Sequence, residues 1–388
     1  MAKRVRINVK GELLVWARER SGLDEMELTK KFRYLREWEN EEKQPTLKQL
    51  EQFAHKTRTP LGYLFLEHPP EEKLPIPHFR TPRNEPILRP SPDLLETVET
   101  MQRRQEWMRE YLVEEREDEL PFVGSITLRT DIVQAAESIR NVLGLRTNWA
   151  QQHDWWAQAS TALREAVDNA GILVTRNGVV GNNNYRKLDI EEFRGFVLVD
   201  HHAPVVFING ADYEGAQLFT IAHELAHVWL GSGSAFNLLN LQPFDDDGEK
   251  YCDMVAAEFL VPEVELRDVW REAGREAEPF KFLSRRFKVS PIVVARRALD
   301  LAFISRDRFF EFYTEYKDDQ DERIEQRKKA KKRSGNFYNT QNVRIGKRFA
   351  SAVYRAAKEG RLLYRDAYRL TGLHGNTFDN YFRRLGIA

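Results

Sequence analysis

Two histidines four residues apart, with a glutamate beside the first, stand at His223, Glu224 and His227 in the string His223-Glu224-Leu225-Ala226-His227. On an α-helix, residues i and i+4 lie one turn apart on the same face, so two imidazoles there can bind one metal ion. Glu224 points to the same side and can hold a water and take its proton. Two ligands and a general base are the H-E-x-x-H arrangement of zinc metallopeptidases. The flanking residues support a buried setting. Leu218, Phe219, Ile221, Ala222, Leu225, Ala226, Val228, Trp229 and Leu230 are all apolar, which leaves the trio as the polar part of a mostly buried helix. Buried polar groups need partners, and a metal supplies them. Gly231 and Gly233 suit the C-terminus of that helix.

A catalytic zinc usually takes three protein ligands and keeps one open position. The third is expected from the next apolar helix, Glu249 to Leu260, which Val261-Pro262 brings to an end. Two carboxylates compete there, Glu249 and Glu258. Glu249 and Asp253 are four apart and share a face. That spacing favours Glu249 as the ligand, with Asp253 behind a ligating histidine as a hydrogen-bond acceptor. Cys252 is a second type of candidate, a soft ligand, but with Glu249 facing the metal it would face away, and a small buried apolar residue is the favoured reading. The oxyanion partner stays open among Tyr185, His202 and Tyr251.

Phe219-Thr220-Ile221-Ala222-His223-Glu224-Leu225-Ala226-His227, followed by Glu249…Cys252-Asp253…Ala256-Ala257-Glu258-Phe259-Leu260-Val261-Pro262, resembles the two motifs of the ImmA/IrrE family of zinc metallopeptidases. The resemblance covers about residues 125–300. It implies that Glu249 is the third zinc ligand and that the chain is a regulatory peptidase. Such proteins cut or bind a helix-turn-helix repressor, or act in a toxin–antitoxin pair. Two departures stand out: Cys252-Asp253 replaces the usual Ala-Asn, and Ala226 replaces the common glycine.

The elements that must position these residues follow from patterning. Ile172-Leu173-Val174, Phe196–Val199 and Val205–Asn209 read as strands, and His201-His202-Ala203-Pro204 as the turn between the last two. Helices are expected from Ile132 to Leu143 and from Trp155 to Ala170. A strand beside the metal helix could hold an extended peptide by main-chain pairing. The expected fold class is α+β: a zincin-like metallopeptidase core over residues 121–312, flanked by N-terminal and C-terminal helical modules.

Residues 1–67 form the N-terminal module. Ala17-Arg18-Glu19-Arg20-Ser21-Gly22-Leu23, Trp38-Glu39-Asn40 and Pro45-Thr46 resemble an XRE-type helix-turn-helix in order. The stretch from Lys31 to Trp38 is too short for the usual turn and recognition helix. The net charge of 1–67 is only +3, and DNA affinity rests largely on neutralised phosphates. The module is read as helix-turn-helix-derived, with docking to a protein favoured over specific DNA reading. Residues 68–120 hold a proline-rich linker, with Leu74–Thr81 shared with longer members of the family, and then a helix from Ser91 to about Glu119. A charged linker spans 313–334. Residues 335–388 form a basic helical module with ten Lys and Arg against three acidic residues, suited to nucleic acid or an acidic protein.

Composition sets the outer limits. The chain has 388 residues, 41% hydrophobic and 31% charged, with no formal net charge, which is enough for two or three domains. One cysteine excludes an intramolecular disulfide framework and suits a reducing compartment. Neither a signal peptide nor an apolar run of transmembrane length is recognisable, so the expected location is cytoplasmic. Two functions are thus in view. One is a zinc-dependent metalloendopeptidase acting on a repressor, a toxin or another regulatory protein. The other is a non-proteolytic antitoxin or transcription regulator whose zinc site is structural or idle.

Overall fold

The computed structural model describes residues 6–72, 90–231, 246–316 and 337–387. They divide between two compact units, one formed by the chain up to residue 75 together with 87–99, the other including 100–388.

In the first unit, α1 (Gly11–Ser21) ends where Gly22 adopts the left-handed conformation, φ 62°, and its N–H returns to the Glu19 carbonyl. Asp24 caps α2 (Glu25–Lys31) by accepting from the Met26 N–H. A three-residue turn leads to α3 (Leu35–Glu39), which is only five residues long. Thr46 and Gln49 form a reciprocal capping box on α4 (Leu47–Thr57), and a 3₁₀ turn follows over Leu61–Phe65. Leu13, Leu14, Ala17, Leu28, Leu35, Trp38, Leu50 and Phe53 close the core of this unit.

The helix expected to reach Glu119 stops earlier. In α5 (Pro92–Glu114) the end is set by Arg116, whose φ is 59°, while the Glu117 N–H reaches back 3.0 Å to the Leu112 carbonyl. That is a helix-terminating loop built without glycine. The segment Leu74–Thr81, the linker prolines Pro75, Pro77, Pro82 and Pro86, Gly233 and residues 317–334 of the charged linker lie outside the described residues.

Among the described residues the second unit holds one small sheet. Its strands are β1 (Leu173–Asn177), β2 (Gly195–Leu198) and β3 (Val205–Asn209), in the order β1-β3-β2. β1 runs parallel to the central β3 and β2 antiparallel to it, with Val197 opposite Val206 and Gly195 opposite Ile208. Alternation sends Val197, Val206 and Ile208 into the main helical core. Phe196 and Phe207 point the other way and stack at 4.9 Å. The helices of the core are α6 (Ile132–Val142), α7 (Trp156–Asn169), α8 (Glu214–Leu230) and α9 (Asp246–Leu260). α8 lies on β2 and β3 and packs most extensively against α9, which α6 also covers. α10 (Glu263–Ala273), α11 (Pro279–Phe287) and α12 (Pro291–Asp300) follow. Helix α13 covers 306–316, so the start expected for the charged linker, residue 313, is helical. The architecture is α+β, rich in helix around a three-stranded sheet.

The C-terminal segment, α14 (Phe337–Ile345), α15 (Lys347–Lys358), α16 (Tyr364–Thr371) and α17 (Asn376–Arg384), does not stand off from this core. α14 packs on β1, and α15 meets α7. Arg104 of α5 donates to the carbonyls of Leu370 (2.9 Å) and Arg344 (2.8 Å), and burial lowers its pKa to about 10. The Asp168 carboxylate accepts from the Arg348 N–H at the start of α15. Several of the basic side chains are engaged locally: Arg361 with Glu115 and Glu359, and Arg344 with Asn182.

Candidate metal centre

α8 is buried along nearly its whole length. Its last carbonyls are held by a neighbouring segment: the N–H groups of Gly124 and Ile126 donate to Val228 and Trp229, both at 3.1 Å. Gly231 then turns with φ 65° and its N–H returns to the last turn of the helix. A Cβ at Gly231 would lie 2.9 Å from the Cα of Gly124, so only glycine permits both the turn and this approach. Trp229 stacks on Phe122 at 4.4 Å and donates to the Ser138 hydroxyl. The helix is therefore fixed in rotation about its axis, with His223 and His227 directed at α9.

His223, His227 and Glu249 come together, their ligand atoms within 4.8 Å of one another. His223 Nε2 and Glu249 Oε2 are 3.1 Å apart, the two histidine Nε2 atoms are 3.1 Å apart, and His227 Nε2 lies 3.2 Å from Glu249 Oε1. A tetrahedral ion with ligands at about 2.0–2.1 Å sets its donors roughly 3.3 Å apart, so the trio has the spacing of three corners of such a site. The donor set is also right for a cation. Asp253 Oδ1 is 2.9 Å from His223 Nδ1. An ionised carboxylate only accepts, so Nδ1 carries the proton there and Nε2 can turn a lone pair towards His227 and Glu249. Lone pairs converging on one point are mutually repulsive unless a positive charge lies between them. The histidine side chains are 1–2% exposed, whereas Glu249 is 24% exposed, so the site opens on the side of α9.

Cys252 is a contact that the sequence did not announce. It is fully buried, and its sulfur lies 3.5 Å from Nδ1 of His227. It does face away from the converging Nε2 atoms, yet it meets the outer nitrogen of the second histidine, as Asp253 meets that of the first. Glu258, the competing carboxylate, is elsewhere. It is buried, forms a short ion pair with Arg297 and accepts from the Glu263 N–H at 3.2 Å. Burial raises its pKa, against the pull of Arg297.

Glu224 is buried beside the trio in sequence, 2% exposed. The first residue of β2 lies against it: a Cβ built on Gly195 would sit 3.4 Å from Glu224 Oε1, 2.9 Å from the Phe207 carbonyl and 2.5 Å from Cγ2 of Thr220. Gly195→Ala should therefore force β2 away from α8, at a cost of roughly 1–3 kcal/mol of the kind seen on overpacking a core. Chemical denaturation checks this, and a variant as stable as the parent would contradict the tight fit.

The three residues considered for an oxyanion partner are occupied differently. The Tyr251 hydroxyl donates to the Thr130 carbonyl at 2.9 Å, and burial raises its pKa. Tyr185 is 98% exposed. His202 lies in the turn before β3, its N–H donating to Asp200.

The family model of the IrrE N-terminal-like domain, a peptidase family, matches residues 168–299. This runs from just before β1 into the last turn of α12 and includes all three residues of the trio. A domain of unknown function (DUF8813) matches residues 345–384. No curated protein matches the chain. No helix among the described residues is long and apolar enough to cross a membrane. The first of these matches supports the ImmA/IrrE family for the central part of the chain and points to a domain of metallopeptidase type.

Proposed function

We propose that the protein is a zinc-dependent metalloendopeptidase of regulatory type, acting on a partner protein such as a repressor or a toxin–antitoxin component. The observation that supports this best is the convergence of His223, His227 and Glu249 at mutual distances of 3.1–3.2 Å, with Glu224 in the helix of the two histidines. Those three residues would hold the ion. Zinc, when bound, supplies a Lewis acid that polarises the scissile carbonyl and lowers the pKa of water. Glu224 is the proton acceptor from the attacking water and returns that proton to the leaving amine. Asp253 holds the His223 ring, and Cys252 lies against the outer nitrogen of His227. β2 is an edge strand whose first residue abuts Glu224. An extended substrate can pair along such an edge by its main chain. In the N-terminal unit Arg36 is paired with Glu25 and α3 is short, which favours a protein partner over sequence-specific DNA.

The test is to recover the full chain with whatever protein co-purifies and to follow that protein by mass spectrometry. Fragments that accumulate with time, and stop accumulating when a chelator is added, support the peptidase. A partner held and neutralised with no fragments, chelator or not, would instead establish the binding regulator.

A further inference from the structure

We infer that a cavity at the N-terminal end of α8 is a binding site for a small oxyanion, a phosphate or carboxylate group, distinct from the His223–His227–Glu249 trio. The cavity has a volume of about 590 Å³, and Trp156, Arg176, Tyr213, Gly215, Gln217 and Ser290 are among the residues that line it. Its place separates it from the trio. Glu214 and His223 are nine residues apart on one helix, roughly 13 Å along its axis at 1.5 Å per residue.

Two helix N-termini meet at this cavity. α8 begins at Glu214 and α12 at Pro291, and a Cβ on Gly215 would lie 3.3 Å from the Ser290 nitrogen. The first N–H groups of a helix have no partner within it and carry the positive end of its dipole. Side chains usually cover them, but neither Tyr213 nor Ser290, the two N-cap residues, does so. Such paired, uncapped ends suit an anion.

The side chains around them point the same way. Ser290 is 3% exposed and Gln217 2% exposed, and among the described residues the Ser290 hydroxyl and the Gln217 carbonyl oxygen have no hydrogen-bond partner. Buried polar atoms left so are costly, and a ligand that fills the cavity would relieve them. The serine can donate to an oxyanion by rotation about one bond. The Gln217 oxygen suits a ligand that also bears an O–H or N–H. Arg176 enters from β1. Burial lowers its pKa, with Glu214 as the countering charge, and no ion pair is formed by its guanidinium among the described residues. Of the acidic residues at the cavity, Asp212 is paired with Arg194 at 3.1 Å. Glu214 is the charge that counters Arg176. Arg is also the side chain that grips phosphate and carboxylate by two parallel hydrogen bonds.

Calorimetric titration of the full chain with inorganic phosphate, and separately with acetate, tests the inference. Saturable binding of at least one is expected, and the stronger of the two identifies the source of the oxyanion. Arg176→Met should weaken it roughly tenfold to a hundredfold, the range for a lost hydrogen bond to a charged group. Arg176→Lys, which keeps the charge without the fork, should fall between. Ser290→Ala gives a second, milder loss if Arg176→Met fails to fold, as judged by its melting curve without ligand. The same titration on His227→Ala separates this site from the trio and should give the parental affinity. Absence of saturable binding at roughly millimolar probe, parental affinity in a folded Arg176→Met, or loss of binding in His227→Ala would each overturn the assignment.

Discussion

Replacing Glu224 by Gln is expected to lower peptide-bond hydrolysis by about a hundredfold to ten-thousandfold, the usual worth of a positioned general base. The change is nearly isosteric, which matters because Glu224 is 2% exposed in a closely packed helix face and Gly195 leaves no room beside it. A larger or smaller residue would disturb β2 as well as the chemistry. Gln keeps the shape and removes only the ability to accept and return a proton. Fold, metal content and partner binding should thus match the parent while turnover falls. The measurement is the rate of fragment formation from the co-purified partner under single-turnover conditions. Equal rates in parent and variant would remove Glu224 from the role of base.

The largest expected effect on stability lies outside the site. Arg297→Met should destabilise the second unit by about 3–5 kcal/mol, the cost of leaving a buried charge without its partner. Arg297 is 6% exposed; it pairs with Glu258, 3% exposed, and donates to the Val261 carbonyl at 3.2 Å. Arg140 adds bonds to the carbonyls of Glu258 and Phe259 at 3.1 and 3.3 Å, so the end of α9 is tied to α6 and α12 through one buried network. Without Arg297, Glu258 can avoid a bare buried charge only by taking up a proton. Burial already raises its pKa. A carboxyl whose pKa is higher folded than unfolded favours the folded state at low pH and loses that contribution as pH rises through its folded value. The cost of Arg297→Met should accordingly be smaller at acidic pH than at neutral pH. Removing both charges, as in Arg297→Met with Glu258→Leu, should recover most of the loss, since an apolar pair of similar volume is often neutral or better. Urea denaturation of the two variants at two pH values reads all of this. A single variant that matches the parent at neutral pH would contradict it.

The site was legible in sequence where local rules sufficed. The spacing of His223 and His227, the apolar residues around them, and the four-residue step from Glu249 to Asp253 are periodic signals, and α8 and α9 place these side chains together. The strands were legible as short apolar runs. Asp24 and Thr46 signalled helix starts by their own chemistry. What remained hidden depends on contacts between distant elements. That Cys252 meets the outer nitrogen of His227 follows from the crossing of α8 and α9, which no spacing encodes. Gly195 reads as an ordinary strand residue until α8 is laid against it. The early end of α5 rests on a left-handed arginine, where glycine would have given the signal. The last fifty residues read as a basic module because charge is visible in sequence. Their anchorage by Arg104 spans 266 and 240 residues of chain and is not.

The most direct measurement is the metal content of the purified full chain, by elemental mass spectrometry, for the parent, Glu224→Gln and His227→Ala. About one zinc per chain is expected in the first two, because Glu224 is not among the converging ligands, and close to none in the third, because two ligands rarely suffice. Full zinc in His227→Ala, or a parent protein that holds none when zinc is supplied, would contradict a metal centre at His223, His227 and Glu249.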